Sequence, residues 1–182
     1  MRKGRSLRIL SIIALLVAIA GLIISYAAIS DSLKGKEDSC LWNIQIHDLK
    51  AEKMGQAVYH LPVVSETSLQ NFSAQLRAPG DAVHLEFQVE NKGTMDALLA
   101  TFWRSKPSCR IEGEGDRSIC EKLEYHLQYK DGTDVAINDL LNPNSSKVMQ
   151  FSVVYPTNAS PLTQGKVILD DLTIFMIYQQ NV

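Results

Sequence analysis

Apolar and polar positions alternate without a break from Val83 to Glu90, inside a stretch that reads RAPGDAVHLEFQVENKGTMDALL from Arg77 to Leu99. Val83, Leu85, Phe87 and Val89 share one phase, and His84, Glu86, Gln88 and Glu90 share the other. Side chains of a strand point alternately to its two faces, so this period marks a half-buried strand. A helix would mix Val83 and Phe87 with Glu86 and Glu90 on one face and is excluded. Pro79-Gly80 before the run and Asn91-Lys92-Gly93 after it are turn chemistry, because Pro presets φ while Gly and Asn tolerate positive φ. One face in a core and one in water is the pattern of an antiparallel sheet.

The same reading carries through the chain. Trp42, Ile44 and Ile46 alternate with Asn43, Gln45 and His47 and predict a first strand, whereas AEKMGQAVYHLP has no clear period and reads as a loop. Phe72, Ala74 and Leu76 are in phase within SLQNFSAQL, and MDALLATFWRS is nearly continuously apolar, as expected of a central strand. Tyr125, Leu127 and Tyr129 alternate up to Asp131-Gly132, a hairpin signal. DVAINDLLNPNSS reads as a short strand or helical turn with a polar loop. Met149, Phe151, Val153 and Tyr155 alternate until Pro156 stops them. In KVILDDLTIFMIYQQ, Ile174, Met176 and Tyr178 hold one phase and Phe175 and Ile177 the other, which predicts cover on both faces.

Seven or eight strands with turn signals between them predict an all-β fold: a single antiparallel β-sandwich, jelly-roll or Ig-like with Greek-key connections. One hydrophobic helix precedes it. MRKGRSLRILSIIALLVAIAGLIISYAAIS places Arg2, Lys3, Arg5 and Arg8 before an apolar run of 21 residues, Ile9 to Ile29. A helix needs about 20 apolar residues to cross a bilayer, and flanking positive charge stays cytoplasmic. A secretory signal peptide is the competing reading, with Ser25-Tyr26-Ala27 as a small-x-small site and cleavage before Ala28. Either way residues 1–30 export the remainder of the chain, a charged spacer over 31–39 and a β-sandwich domain over 40–182.

Charge divides along the same line. All 20 acidic residues lie beyond Ala28, while four of the 18 basic ones precede it, which leaves the exported part net acidic. Such a domain does not attract nucleic acid through phosphate contacts, and an anionic lipid surface repels it. The expected partners are the membrane, through residues 9–29 unless they are cleaved, and other copies of the chain or other surface proteins.

Cys109 and Cys120 bracket RIEGEGDRSI, a Gly-rich charged loop that a disulfide between them would staple; two free thiols are the alternative. Cys40 is left over. Its preceding Glu37-Asp38-Ser39 lacks the small, apolar character of a lipoprotein signal, so it is expected to be buried as a small hydrophobe, with an intermolecular bridge as the other fate.

Reactive groupings are sparse. His47, His60, His84 and His126 are spaced too widely for a zinc motif, with no H-E-x-x-H, and His47, His84 and His126 each fall on the polar phase of a predicted strand. There is no G-x-S-x-G elbow and no Cys-His pair in an activating context. EGEGD, from Glu112 to Asp116, carries oxygen ligands of the kind calcium takes but lacks the spacing of a calcium loop, and it reads as solvated. Asp170-Asp171 sits mid-strand with side chains facing opposite ways, so it is no acid–base pair. Sequons at Asn71, Asn144 and Asn158 are assigned no function. Catalytic residues, metal ligands and cofactors are therefore assigned to none of the residues, and an enzymatic activity is not expected.

The positively charged start, the apolar run ending SYAAISDSL, the first strand around Trp42 and the stretch L-x-A-P-G-D-A-V-x-L-x-F-x-V-x-N-K-G-T-M-D-A-L-L together resemble the camelysin/TasA-like group of exported bacterial proteins. The tyrosine strand ending YKDGT and the late VVYP strand are also similar. The resemblance implies processing of the N-terminal segment by a dedicated signal peptidase, just before a stretch like Ser30-Asp31-Ser32. It also implies a jelly-roll-like sandwich that Pro79, Gly80 and Asp81 lead into and whose turn Asn91, Gly93 and Asp96 close. Such proteins serve the cell surface or biofilm matrix, some as fibres built by inserting an N-terminal strand into a neighbour. The donor segment here, AISDSLKGKEDS, is charged and weakly apolar. Some members have been labelled metalloproteases; this sequence has no zinc signature, and that activity is not carried over.

The function expected is thus a non-enzymatic surface or matrix protein. A pilin-like filament subunit is the first alternative, since Met1-Arg2-Lys3-Gly4 before an apolar helix resembles a prepilin site. Arg5 and Arg8 would sit badly in a filament core, where buried charge is costly. An exported hydrolase or metalloprotease is the second alternative, without a motif to support it.

Overall fold

A computed structural model describes residues 43–114, 116 and 118–180 of the chain. The N-terminal segment, Ser25 to Ala28, the spacer and Cys40 lie outside the described residues. Among those described, no helix is long and apolar enough to cross a membrane.

Apart from one helical turn, the regular structure of the described residues is β-strand in antiparallel sheets. Its strands are β1 (Ile44–Met54), β2 (Val58–His60), β3 (Val63–Val64), β4 (Ser68–Leu76), β5 (Ala82–Asn91), β6 (Ala97–Arg104), β7 (Ser108–Glu114), β8 (Glu124–Tyr129), β9 (Leu140–Leu141), β10 (Ser145–Val154) and β11 (Gln164–Gln180). A single helical turn, Ile119–Lys122, precedes β8. One sheet has the order β1-β5-β10-β8. The other runs β2-β4-β11-β6-β9, with β3 also on β4 and β7 also on β11. β6 and β7 follow one another along the same edge of β11, since β11 meets β7 through Gln164–Asp170 and β6 through Ile174–Gln180.

The inward phases of both sheets meet in one core. Val83, Leu85, Phe87 and Val89 of β5 and Met149, Phe151 and Val153 of β10 share it with Phe72, Ala74 and Leu76 of β4 and Ile174, Met176 and Tyr178 of β11. Removing these side chains from water supplies the main drive to fold, roughly 25 cal/mol per Å² of apolar surface.

Several strands depart from the plain period of two, and bulges are the cause. β1 continues to Met54 through residues that read as a loop, because the register slips between His47 and Lys50 around Asp48, whose φ is 54°. The extra residue moves Leu49 and Ala51 onto the core side and breaks the pattern that would have announced them. A second bulge sits at Asp171, φ 59°, facing another at Asn71, φ 59°, so β11 buries Val167 and Leu169 before it and Leu172 and Ile174 after it. Asp170-Asp171 therefore marks a phase change rather than a regular mid-strand pair.

Two expected burials are partial. Among the described residues the outer edge of β6 is paired to β9 at Ala97 and Leu98 and to the Asn138–Asp139 backbone at Leu99, and beyond them Trp103 is 50% exposed. Ile177 on the outer phase of β11 is 52% exposed, while its neighbour Phe175 is covered by Trp103, ring centroids 4.6 Å apart. At Asp131-Gly132 the chain turns as expected, with Gly132 at φ 86° and its N–H donating to the Tyr129 carbonyl at 2.9 Å. The returning arm makes only one bridge, Gln128 to Asp134; the long partner of β8 is β10.

Candidate functional site

The turn before β5 closes on Asp81, which is 3% exposed. Its Oδ2 accepts hydrogen bonds from the Arg77 and Ala78 N–H groups at 2.7 and 3.1 Å, and Oδ1 accepts one from the Gln56 N–H at 2.9 Å. Pro79 and Gly80 carry the chain round this carboxylate, with Gly80 at φ 94° and its N–H bonded to the Tyr155 carbonyl at 2.8 Å. The carboxylate is fully engaged in holding loop backbone, which a buried charge requires.

Asn91, fully buried, does the same at the other end of β5. Its Nδ2 donates to the Met95 and Leu141 carbonyls at 2.8 and 3.1 Å, and its Oδ1 accepts from the Gly93 and Asn43 N–H groups at 3.0 and 3.3 Å. Gly93 is buried in this turn, and Asp96 is half-buried just before β6. The strand-motif residues thus form two separate knots at opposite ends of one strand, each built of backbone hydrogen bonds.

The histidines spread over the outer surface. A polar row crosses the four-stranded sheet in register: Glu52, His84, Ser152 and His126. His84 Nδ1 lies 2.7 Å from Ser152 Oγ, but its Nε2 faces the Met54 sulfur at 3.3 Å where a Ser-His-acid relay needs a carboxylate. His126 approaches Glu124 at 3.5 Å, and His47 stands between Asp48 and Glu90 at 3.0 and 3.2 Å. His60 is exposed on β2. Among the described residues, no three His, Cys, Asp or Glu side chains are grouped to hold a metal ion.

The acid-rich loop is held by local pairing. Hydrogen bonds from the Ser118 hydroxyl and N–H, with help from Lys122, lower the Asp116 carboxyl to about 2. Glu112 pairs with Lys166 at 3.2 Å. Cys109 on β7 and Cys120 in the helical turn are joined, Cα atoms 5.8 Å apart, which ties the loop to the start of β8.

The surface features that stand out are apolar. Val58, Leu61, Val63 and Val64 are all exposed, from 39% to 62%, along the β2–β3 edge of the larger sheet, and Met54 is 55% exposed at the end of β1 in the other sheet. On the opposite side, between β6 and β8, a recess of about 220 Å³ is lined by Phe102, Arg104, Tyr125, Leu127, Phe151 and Ile174, with Trp103 at its rim. The Arg104 guanidinium lies over the Tyr125 ring, 3.8 Å from its centroid, so a cation from one sheet packs on an aromatic from the other. Burial holds the Tyr125 phenol above its usual range, partly offset by the Arg104 charge. Periodicity along the chain carries no sign of this recess; the one local hint is Trp103-Arg104 ending an apolar run.

Fold and surface together define an all-β, antiparallel domain whose conspicuous groups are apolar and aromatic. No family model, curated protein or solved structure matches the chain.

Proposed function

We propose that the chain is a non-enzymatic exported protein of the bacterial cell surface or extracellular matrix, of camelysin/TasA-like kind, acting through its surface. In this reading residues 43–180 form a jelly-roll- or Ig-like sandwich, and residues 9–29 hold it at the membrane unless they are cleaved. The observation that carries the reading is the set of exposed apolar side chains Val58, Leu61, Val63 and Val64 on and between the short edge strands β2 and β3. Among the described residues no strand pairs with the outer edge of β2 or β3, and an unpaired edge with apolar side chains is a template for association, which proteins otherwise blunt with charge or proline.

The test combines two measurements on protein from the native host. Intact mass gives the mature N-terminus: a start near Ala28 supports a released matrix protein, and an intact Met1 supports a membrane-tethered surface domain. A start at Arg5 would turn the reading toward a pilin-like filament. Light scattering of the wild-type chain and of Val63→Lys then tests the edge. Self-association that Val63→Lys abolishes supports the proposal, and monomers at every concentration for both proteins would count against the edge as a contact between copies.

A further inference from the structure

The recess between β6 and β8 has the make-up of a small-molecule site, and we propose that it binds a small aromatic carboxylate, with the ring among Phe102, Tyr125, Leu127 and Phe151 and the carboxylate on Arg104. Ligand sites are concave and mostly apolar, with a few polar groups that fix orientation. Here the apolar walls come from both sheets, and one cation stands at the mouth. Arg104 pairs in register with Ile174, which is 2% exposed, so it occupies the phase that faces the other sheet.

Size selects the ligand. A cavity of ~150 Å³ accommodates one benzene ring. The 220 Å³ here leaves room for one ring and a short acidic arm. Charge selects the head group. Tyr125 meets Arg104 through its ring, with the guanidinium carbon 3.8 Å from the centroid, so this contact takes none of the guanidinium N–H donors in a conventional hydrogen bond. Among the described residues no carboxylate takes those donors, although Arg110 pairs with Asp170, Lys130 with Glu86 and Lys166 with Glu112. A planar carboxylate matches the guanidinium fork with two parallel hydrogen bonds.

The larger hollow of about 440 Å³ beside Tyr129, Lys130 and Lys147 lacks these features. Lys130 is engaged by Glu86 at 3.1 Å, and the ammonium of Lys147 has no planar fork to match a carboxylate.

The test is calorimetric titration of the full chain in phosphatidylcholine nanodiscs with 3-phenylpropionate, and with 3-phenylpropan-1-ol as its uncharged counterpart. The acid should bind about tenfold tighter than the alcohol, as expected for one charge-assisted pair at a partly exposed site. Arg104→Gln should remove that difference, and Leu127→Trp, which fills the recess, should abolish binding of both. Near-UV circular dichroism identifies any variant that fails to fold, and the acid-to-alcohol ratio on the wild-type chain needs no variant at all. No binding of the acid, equal binding of acid and alcohol to the wild type, or an unchanged ratio in folded Arg104→Gln would overturn the proposal.

Discussion

The carboxylate of Asp81 stands 2.1 Å from the point where a Cβ on Gly55 would lie. Gly55 has φ 67°, so the same residue answers a steric and a conformational demand: it turns the chain after β1 and lets Asp81 reach the Gln56 N–H. Gly55→Ala should therefore cost more than an ordinary surface change, about 2 kcal/mol. Asp81→Ala leaves the N–H groups of Gln56, Arg77 and Ala78 without their acceptor and should cost about 3 kcal/mol. Urea unfolding at neutral pH measures both. Losses under about 0.5 kcal/mol for either, the range of ordinary surface substitutions, would show that the turn adapts without the contact.

Asn91 offers a sharper chemical test because both ends of its amide are used. Asn91→Asp puts an acceptor where Nδ2 now donates to the Met95 and Leu141 carbonyls, and it buries a charge. It should destabilise by about 3 kcal/mol at neutral pH, more than Asn91→Ser, which keeps a donor without adding charge. Equal losses for the two variants would mean that the site is open to water.

Tyrosines set the alkaline limit of stability. Burial, reinforced by the hydrogen bond to Asp139 at 2.7 Å, holds the Tyr129 phenol protonated well beyond its usual range, and burial next to the Asp139 charge does the same for Tyr178. A group whose pKa is raised on folding adds stability below its unfolded value, about 10 for tyrosine, and that stability fades as pH climbs above it. On the acid side, burial works against ionisation of Asp139, but the Ala136 N–H, the Tyr129 hydroxyl and Lys147 outweigh it and the carboxyl is lowered. Its contribution is present above about pH 4 and is lost as pH falls further. Asp116, lowered to about 2, fades over the same acid range. Thermal melts should show a plateau from about pH 5 to about pH 9 with a decline on each side, and the phenolate absorbance of Tyr129 and Tyr178 above about pH 10 should appear together with unfolding. Tyr129→Phe should move the alkaline decline to higher pH; phenolate formation by Tyr129 and Tyr178 in a folded chain would refute the assignment.

The bridge between Cys109 and Cys120 closes a loop with a sequence separation of 11. Loop-closure entropy for a ring of this size is worth about 3 kcal/mol in the unfolded chain. Replacing both cysteines with alanine should lower stability by about that amount and loosen the helical turn Ile119–Lys122 ahead of β8. Hydrogen exchange across residues 109–124 measures the loosening; unchanged protection would mean that pairing to β11 alone orders the segment.

Alternation along the chain is enough to specify the architecture wherever one face of a strand is buried and regular. Val83 to Val89, Met149 to Tyr155 and Phe72 to Leu76 are inward as the alternation requires, because a slip of one residue would send every apolar side chain into water. Asp81, Asn91 and Gly93 are legible as turn residues in the same way, since local backbone geometry selects those side chains. Features that depend on contacts distant along the chain are not legible there. The bulges at Asp48 and Asp171 are stabilised by partner strands and hide the period they interrupt. Neighbours along β6 decide that Trp103 is exposed although its segment reads as central. The recess of Arg104 over Tyr125 exists because the end of β6 in one sheet meets the start of β8 in the other, and that meeting has no counterpart in the spacing of residues along the chain.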